Sequence, residues 1–419
     1  MKWKKAYQSV AIAAVVGIAL AGCSSGGSGA GGTSTDSGKI PTITFAASTF
    51  GETGRGPLLE AWLKTFNASQ DKVKVVPATV PFPTFAQTIA TQMGAGAGPD
   101  VIRFNAQDFY QAVDAGLLEP LDKVVDSSKY DFNKAPDKAN FVNGKRYGVM
   151  FEVANYALIY NTDLIKTPPK TYPEFLAAAK AATKDGVYGF AMRQTLPESN
   201  GMWQDVMNFV YGFGGAWSNG KKLTLNSPKV IDAINAYKEL YDAGVTPKGA
   251  TAATYRTMFG AGKLAMEIDN SGVAANIQAL NANLHLDVAP IPFPYPTFGG
   301  IQTPTGVNKN SKDMAGANAF IKWMMEPKNQ QALQQALAPS SVATKTTPPA
   351  AELTKFPFEP AYAGLTDHSL PQVVKGFEAK TPAIQKIVIN QVISALQGTQ
   401  SVQAAMDQAQ QLATAAVSG

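Results

Sequence analysis

The feature that most constrains the fold of this chain is an alternation of short apolar strands with helices, which begins after Pro41. Residues 42–46, 73–77 and 100–104 each carry the apolar, β-branched pattern of a short strand. One helix is predicted to begin at Pro57 and another to cover 85–93. Strands that alternate with helices favour parallel pairing in a sheet that is covered by helices. The sequence therefore predicts an α/β fold with a mostly parallel sheet.

Helix signals continue along the rest of the chain. In the first helix, Leu58, Trp62 and Phe66 recur at i, i+4 and i+8, which predicts that they share one apolar face. A capping box at 171–174 and an N-cap with an N1 proline at 227–228 each predict a helix start. Two more amphipathic helices are predicted over 313–325 and 383–397.

Composition limits the chemistry that the chain can perform. The 419 residues are 45% hydrophobic and 16% charged, enough for a large core divided over two or three domains. The single cysteine excludes a disulfide framework and a cysteine-based zinc site, and His285 and His368 are far apart in sequence. The glycines at 94–98 follow a predicted helix and precede a strand, the reverse of a dinucleotide-binding order. We therefore predict no metal and no cofactor, and no motif in the sequence identifies catalytic residues.

The charge balance gives no sign of a nucleic-acid partner. The net charge of +5 includes Lys2, Lys4 and Lys5, which lie in a leader-like segment without acidic residues. Without those three, the remaining Lys and Arg of the 36 exceed the 31 Asp and Glu by about two. Nucleic-acid binding normally needs a clustered basic surface, so none is predicted.

The first 39 residues predict export and a lipid anchor. A basic start is followed by an apolar run at 10–20, too short to span a bilayer. The run ends in LAGC at 20–23, which resembles the lipobox of bacterial lipoproteins. This implies a signal peptide over 1–22 and acylation of Cys23, whereas the alternative is an ordinary secretory peptide with a chance cysteine. Residues 23–39 are rich in Gly and Ser and predict a flexible tether. The expected location is extracytoplasmic, on the outer face of the cell membrane or in the periplasm.

Several segments, taken in order, resemble the extracellular solute-binding proteins of sugar ABC transporters, the maltose-binding-like family. They cover most of the chain after residue 40 and read GPDV (98–101), DAGLLEPLD (114–122), NGKRYGV (143–149), LIYN (158–161), PPKTYPEF (168–175), MFGAGKLAM (258–266), GG (299–300) and FIKWMMEP (320–327).

The resemblance implies a two-lobed periplasmic-binding-protein fold with a hinged interlobe cleft. Lobe one would comprise 40–151 plus 304–342, and lobe two 152–303 plus 343–419, with chain crossings near 150–154, 300–305 and 340–346. It also implies a monomeric receptor that closes its lobes on a carbohydrate, a mono- or oligosaccharide, and delivers it to ABC transporter permease subunits.

The resemblance places the ligand-binding residues on loops that line the cleft. Trp203 is the preferred stacking residue, and its alternative role is a core tryptophan beside Val206 and Met207. The full set of expected ligand-binding residues is Phe50, Glu52, Asn105, Gln107, Asp108, Glu152, Asn155, Asn200, Trp203, Asp269, Asn270 and Gly299.

This chain departs from the maltose-type pattern at three positions. Gly272 and Gln385 stand where maltose-type members carry stacking tryptophans, and Asp108 stands where they carry a base. The missing aromatic platform argues against a long glucan as the ligand.

Three other functions stay open from the residues alone. A glycerol phosphate or another phosphorylated polyol is one, although the chain has only five arginines for phosphate capture. A secreted glycan-cleaving enzyme would need a pair of carboxyl groups across the cleft, such as Glu52 with Glu152 or Asp269. A surface adhesion or structural lipoprotein is the third.

Overall fold

The computed structural model describes residues 40–52, 54–281 and 283–418. The predicted signal peptide, Cys23 and the tether lie outside these residues. No helix in the described part of the chain is both long enough and apolar enough to cross a membrane.

Twelve strands are present in the described ranges: β1 (Thr42–Ala46), β2 (Lys74–Ala78), β3 (Val101–Arg103), β4 (Phe141–Val142), β5 (Lys145–Arg146), β6 (Val149–Ala154), β7 (Tyr156–Asn161), β8 (Tyr188–Ala191), β9 (Leu264–Asn270), β10 (Leu286–Ala289), β11 (Phe298–Val307) and β12 (Ser369–Pro371).

The α-helices in the same ranges are α1 (Gly56–Ser69), α2 (Phe82–Gly94), α3 (Ala106–Asp114), α4 (Lys134–Asp137), α5 (Tyr172–Ala182), α6 (Ser199–Gly212), α7 (Pro228–Asp242), α8 (Ala252–Gly260), α9 (Ser271–Leu280), α10 (Met314–Met325), α11 (Pro327–Leu337), α12 (Ala350–Lys355), α13 (Glu359–Ala363), α14 (Thr381–Leu396) and α15 (Val402–Val417).

Two main sheets organise the molecule. The first has the order β12-β11-β3-β1-β2, with β6 paired to β11, and the second has the order β10-β7-β9-β8. Pairing of β1 with β2 and β3 is parallel, as predicted. The pairs β11–β12 and β8–β9 are parallel as well, so the first sheet is mostly parallel although β11 is antiparallel to β3 and β6. In the second sheet the expectation is wrong, because β7 is antiparallel to β9 and β10. The two sheets make this a mixed α/β fold.

Each sheet has its own apolar core. Around the first sheet, Phe45 packs edge-on against Phe151 and close to Phe320. Around the second, Phe175 packs edge-on against Phe190, with Met266 buried beside them. Burying these large apolar side chains stabilises the fold, at about 25 cal/mol per Å² of apolar surface removed from water.

The chain passes between the two cores in three places that lie side by side. The first core includes Val153 and the second begins at Tyr156. Strand β11 returns the chain along β6, with Gln302 opposite Val153. The third passage follows α11, where the backbone of Ser341 exchanges hydrogen bonds with Val153. By these core memberships we count Glu152 and Val153 with lobe one, while the predicted boundaries at 151, 304 and 342 stay a prediction.

Most predicted elements form at or within a few residues of their expected bounds. The strand over 42–46 and the helices over 313–325 and 383–397 are confirmed as β1, α10 and α14. The prediction that Leu58 lies on the buried face of α1 is wrong, because Leu58 is 51% exposed. Leu59 and Leu63 instead join Trp62 and Phe66 in the core. The reason is that an i, i+3, i+4, i+7 stripe beginning at Leu59 contains one more apolar residue than a stripe beginning at Leu58.

A buried arginine secures the hairpin of β4 and β5 to the first core. Arg146 is 1% exposed and donates hydrogen bonds to both carboxylate oxygens of Asp137, at 2.9 and 2.8 Å. Its guanidinium carbon lies 4.9 Å from the ring centre of Phe132 and 4.4 Å from that of Phe141. Cation–π contacts of this kind are strongest where water is excluded.

We predict that Arg146→Met lowers the free energy of unfolding by about 3 kcal/mol, because removal of one partner leaves the Asp137 carboxylate without its counter-ion. Urea denaturation at neutral pH measures the loss. The control is Lys129→Met, which breaks the exposed pair with Asp126 and is expected to cost less than about 1 kcal/mol. Equal losses in the two variants would contradict the buried-pair explanation.

Candidate functional site

A polar cleft of about 390 Å³ lies between the two cores, next to the three chain passages. Both lobes line it, and most of the lining groups are amides, hydroxyls or paired charges. The lining residues are Ser48, Glu52, Arg55, Arg103, Asn105, Ala106, Gln107, Glu152, Ala154, Asn200, Trp203, Gln204, Asn270, Gly272, Ile301, Gln302, Thr303, Ser340, Gln372 and Gln385.

Glu152 on β6 is the centre of a charged cluster at the side of lobe one. Its carboxylate accepts hydrogen bonds from Arg55 at 2.5 Å, from the Ser340 hydroxyl at 2.9 Å and from Arg103 at 3.5 Å. Burial raises the pKa of Glu152, but the guanidinium groups of Arg55 and Arg103 outweigh it and hold that pKa below its usual range. Glu152 is therefore an anion at neutral pH.

The charges of the cleft are balanced within lobe one. Arg55 also donates to Glu52, from Nε at 2.7 Å and from Nη2 at 3.1 Å. Arg103 donates its other terminal nitrogen to the side-chain oxygen of Asn105 at 3.1 Å. Two guanidinium groups thus face two carboxylates, and the pairs satisfy each other before any ligand arrives.

Lobe two contributes a chain of amide groups. The Gln204 side chain accepts from the Tyr156 hydroxyl at 2.9 Å and donates to Gln372 at 3.3 Å. Gln372 in turn donates to the backbone oxygen of Gly299 at 2.8 Å. An amide offers both donors and acceptors, so these glutamines suit a ligand with many hydroxyl groups.

Two helices begin at the cleft, one from each lobe. Asn105 precedes α3, and Asn270 caps α9 through its side-chain oxygen, which accepts from the backbone nitrogens of Gly272 and Val273. Helix N-termini present backbone N–H groups and a partial positive charge. Two of these groups in α9 are used by its own cap, and neither helix start adds a formal charge to the cleft.

The mouth of the cleft is bridged by amides from the two lobes. Gln107 on α3 donates to the Gln385 side chain on α14 at 3.3 Å, and Gln385 donates to Asn200 at 2.9 Å. Next to this bridge, Gln111 donates to the backbone oxygen of Ala379 at 3.3 Å. All three contacts join neutral groups, and the lobes meet over the cleft.

Trp203 lines the cleft and is also a core residue. It is 2% exposed, and its ring stacks on that of Trp217 with the centroids 5.0 Å apart and the planes inclined by 18°. Val206 and Met207 belong to the same core. The structure thus shows the core role considered from the sequence, and stacking of Trp203 on a ligand stays a prediction.

Of the expected ligand-binding residues, seven line the cleft: Glu52, Asn105, Gln107, Glu152, Asn200, Trp203 and Asn270.

The other five residues are not part of the cleft lining. Phe50 is buried in the first core, and Asp108 accepts from the Asn105 amide at 2.9 Å beside an apolar pocket between α2 and α3. The Asn155 amide donates to the Tyr362 backbone oxygen, and the Gly299 nitrogen donates to Asn208.

Asp269 is the fifth, and it belongs to a buried ion network behind the cleft. It accepts from Arg193 at 3.1 Å and from Arg256 at 2.6 Å, and Arg193 also pairs with Asp205 at 2.5 Å. Burial raises the pKa of Asp269, but the two guanidinium groups more than compensate and lower it overall. Asp269 also accepts from Asn270 at 2.8 Å, so the network positions the cap of α9.

The sequence analysis missed Arg55, Arg103 and the glutamines at 204, 302 and 372. A signal existed for Arg103, which ends β3 directly before the cleft loop that begins at Phe104. The glutamines had none, because a single glutamine on a helix or strand has the pattern of a surface residue. No cluster of three or more metal-ligating side chains occurs within residues 40–52, 54–281 and 283–418.

The family model for bacterial extracellular solute-binding proteins matches residues 61–357 of this chain. A binding protein of Brucella abortus is 28% identical over 255 residues, which are 57% of this chain and 60% of the relative. The chain thus spans about three fifths of that relative's length.

Two other relatives have names that specify a ligand. The sn-glycerol-3-phosphate-binding periplasmic protein of Agrobacterium fabrum is 23% identical over 66% of this chain and 69% of its own length. The diacetylchitobiose binding protein of Streptomyces coelicolor is 25% identical over 71% of this chain and 76% of its own length.

The fold also matches solved structures. The cyclic alpha-maltosyl-1,6-maltose binding protein from Arthrobacter globiformis superposes with a TM-score of 0.77, at 20% identity, over 90% of this chain and 99% of that protein. This likeness confirms the two-lobed α/β architecture.

We predict that Glu152→Gln lowers the free energy of unfolding at pH 7 by about 3 kcal/mol, because Arg55 and Arg103 lose their shared counter-ion. The folded-state pKa of Glu152 is lowered, so its stabilising effect is present above pH 4.5 and is lost as the pH falls through the folded-state pKa. The difference between variant and wild type should therefore shrink in acid. Urea denaturation at pH 7 and at successively lower pH measures it.

The matched control is Glu52→Gln, since the Glu52 side chain is 42% exposed and pairs with the same arginine. We expect a loss below about 1 kcal/mol. A Glu152→Gln loss that is the same at every pH would contradict the ion-pair explanation.

Proposed function

This chain belongs to the bacterial extracellular solute-binding protein family, and from that premise we propose that it captures a mono- or oligosaccharide in its cleft and delivers it to the permease of an ABC importer. The observation that carries the proposal is the lining of the cleft, where amides and hydroxyls predominate and the charges are already paired. Lobe closure on the solute is the expected capture step.

A neutral, hydroxylated ligand fits this lining best. Each amide can both donate to and accept from a hydroxyl group, while a charged ligand would have to displace Glu52 or Glu152 from an existing ion pair. The volume of about 390 Å³ lies in the lower part of the range of small-molecule sites. With Trp203 as the single aromatic side chain of that lining, a short saccharide is favoured over a long glucan.

We propose binding without bond cleavage. A glycosidase needs one carboxyl group whose pKa is raised so that it can act as a general acid. Although burial raises the pKa values of Glu152 and Asp269, neighbouring guanidinium groups lower both overall. The nearby carboxyl groups whose pKa is raised, Asp108, Asp205 and Glu267, do not line the cleft. Release of reducing sugar from glycans by the purified protein would contradict this part of the proposal.

A phosphorylated polyol is the second candidate ligand. Arg55 and Arg103 both line the cleft, and guanidinium groups bind phosphate in a bidentate manner. One of the related proteins is named for glycerol 3-phosphate binding. The two carboxylates that already occupy these arginines make the neutral sugar the preferred ligand.

The location is proposed from the sequence together with the family. We propose that residues 1–22 are removed, that Cys23 is acylated and that 23–39 tethers a monomeric receptor to the outer face of the cell membrane. Metabolic labelling with a radioactive fatty acid tests the anchor, and Cys23→Ser should abolish the label.

We predict that one saccharide in a panel of mono-, di- and oligosaccharides raises the melting temperature of the protein by a few degrees. A ligand at 100 Kd stabilises the folded state by about 2.7 kcal/mol. Glycerol phosphates form the second arm of the panel. Stabilisation by glycerol phosphate alone would favour the second candidate, and a flat response to both arms would contradict both.

For the stabilising saccharide, Gln204→Leu should weaken binding at least tenfold, about 1.4 kcal/mol, because it removes the amide that faces the cleft. Isothermal titration calorimetry measures the change. The control is Gln403→Leu on the exposed side of α15, which should leave affinity unchanged. Equal affinities in the two variants would remove Gln204 from the binding site.

A further inference from the structure

Two glutamates converge on one glutamine at a junction away from the cleft. The Gln334 side-chain nitrogen on α11 donates to Glu352 on α12 and to Glu359 on α13, at 2.5 Å each. An amide nitrogen has two hydrogens, and both are used here. The two carboxyl groups are therefore held next to each other by a single neutral group.

Burial makes this arrangement costly if both groups are ionised. Glu359 is 3% exposed, and its Oε2 atom accepts no hydrogen bond from the described residues. Burial, followed by the neighbouring Glu352 carboxyl, raises the pKa of Glu359 to about 8. Glu359 therefore keeps its proton at neutral pH, next to the partly exposed Glu352 carboxyl group.

The charged groups on the surrounding elements are engaged elsewhere. Lys345, which lines the adjoining cavity of about 190 Å³, lies 3.8 Å from Asp131. Asp137 on α4 pairs with Arg146, and Lys355 on α12 lies over the Phe356 ring. Lys134 on α4 is exposed. Within the described residues, no ion pair reaches Glu352 or Glu359, and a proton is the cation that relieves their repulsion.

The three residues connect the two lobes. Gln334 follows Leu333 and precedes Leu337, which pack in the first core. Glu359 lies between Phe358 and Tyr362, which pack against the second sheet. Next to this contact, the Ser341 and Thr366 hydroxyls lie 3.3 Å apart. The glutamate pair thus bridges the lobes beside the third chain passage, on the hinge side of the molecule.

We propose that Glu352 and Glu359 share one proton and, with Gln334, form a proton-dependent contact between the lobes. We call this three-residue contact the fastening. In the closed arrangement, one carboxyl O–H donates to the other carboxylate while Gln334 donates to both. When the pH rises, the proton passes to a base in solution, and the two carboxylates repel each other. Helices α12 and α13 then loosen from α11. The fastening needs no ligand, so it does not depend on the function proposed above.

The linkage has a definite sign. The pKa of Glu359 is raised from 4.5 to about 8 on folding, so the stabilisation of the protonated pair is fully present below pH 4.5 and is lost as the pH rises to about 8. Glu359→Gln keeps the shape and stays neutral. The melting temperature of Glu359→Gln minus that of the wild type should therefore increase by about 3 °C or more between pH 5 and pH 9.

The experiment is a melting series of the full chain at pH 5 to 9 for wild type, Glu359→Gln and the control Glu326→Gln, whose exposed glutamate starts α11. The wild type and Glu326→Gln should share one pH dependence, and Glu359→Gln should be flatter. Parallel curves for all three would overturn the proposal. If Glu359→Gln does not fold, infrared spectroscopy of the wild type decides, because a missing protonated-carboxyl band at pH 7 overturns it equally.

Small-angle scattering tests the interlobe part. The radius of gyration of the wild type should increase above pH 8, while that of Glu359→Gln stays constant. A radius that is unchanged with pH in both proteins would show that the shared proton does not fasten the lobes, whatever the melting series gives. If no ligand of the panel raises the melting temperature but the radius of gyration of the wild type still increases above pH 8, the sugar-binding proposal is contradicted and the fastening is supported.

Discussion

The antiparallel pairing of β6 with β11 is the constraint on which the rest of the structure depends. These two strands carry the chain between the cores in opposite directions. The backbone of Ser341, in the third passage, exchanges hydrogen bonds with Val153 of β6. Because a strand alternates its side chains between two faces, consecutive residues of the crossing serve different purposes. Val153 packs in the first core, while Glu152 and Ala154 line the cleft. The connection between the lobes is thus also the floor of the binding site.

That position explains why the cleft carries internal ion pairs. A carboxylate on a crossing strand is buried on both sides and must be compensated from within one lobe, since a partner on the moving lobe would be lost on opening. Arg55, Arg103 and Ser340 all reach Glu152 from elements of the first core. The second lobe does the same with Asp269, which is held by Arg193 and Arg256. Each of these carboxylates is compensated by groups next to its own core, so the contacts across the cleft mouth are left to neutral groups.

The fold was more predictable than the site, for a physical reason. Apolar periodicity located β1, α10 and α14, because burial imposes a repeat that a single sequence displays. The loops that face the cleft came from the family resemblance, which gave Glu52, Asn105, Glu152 and Asn270 among the expected ligand-binding residues, and all four line the cleft.

The sequence could not show which of two neighbouring residues on a loop faces the cleft. Asp269 and Asn270 are adjacent, yet one is buried among arginines and the other lines the cleft. Gln204, Gln302 and Gln372 come together from three distant segments, and no local pattern marks such a convergence.

Neutral contacts at the cleft mouth have a consequence for how closure is controlled. An amide hydrogen bond contributes about 1 kcal/mol net, because water competes for the same groups when the lobes are apart. The contacts of Gln107 with Gln385 and of Gln111 with Ala379 are of this kind. Contacts of this strength favour closure only weakly, and a ligand that bridges the lobes shifts the balance by its differential affinity for the closed form. An interlobe salt bridge at the same position would hold the lobes together without a ligand and reduce that response. Under the function proposed above, the pairing of the cleft charges with one another keeps closure dependent on the solute.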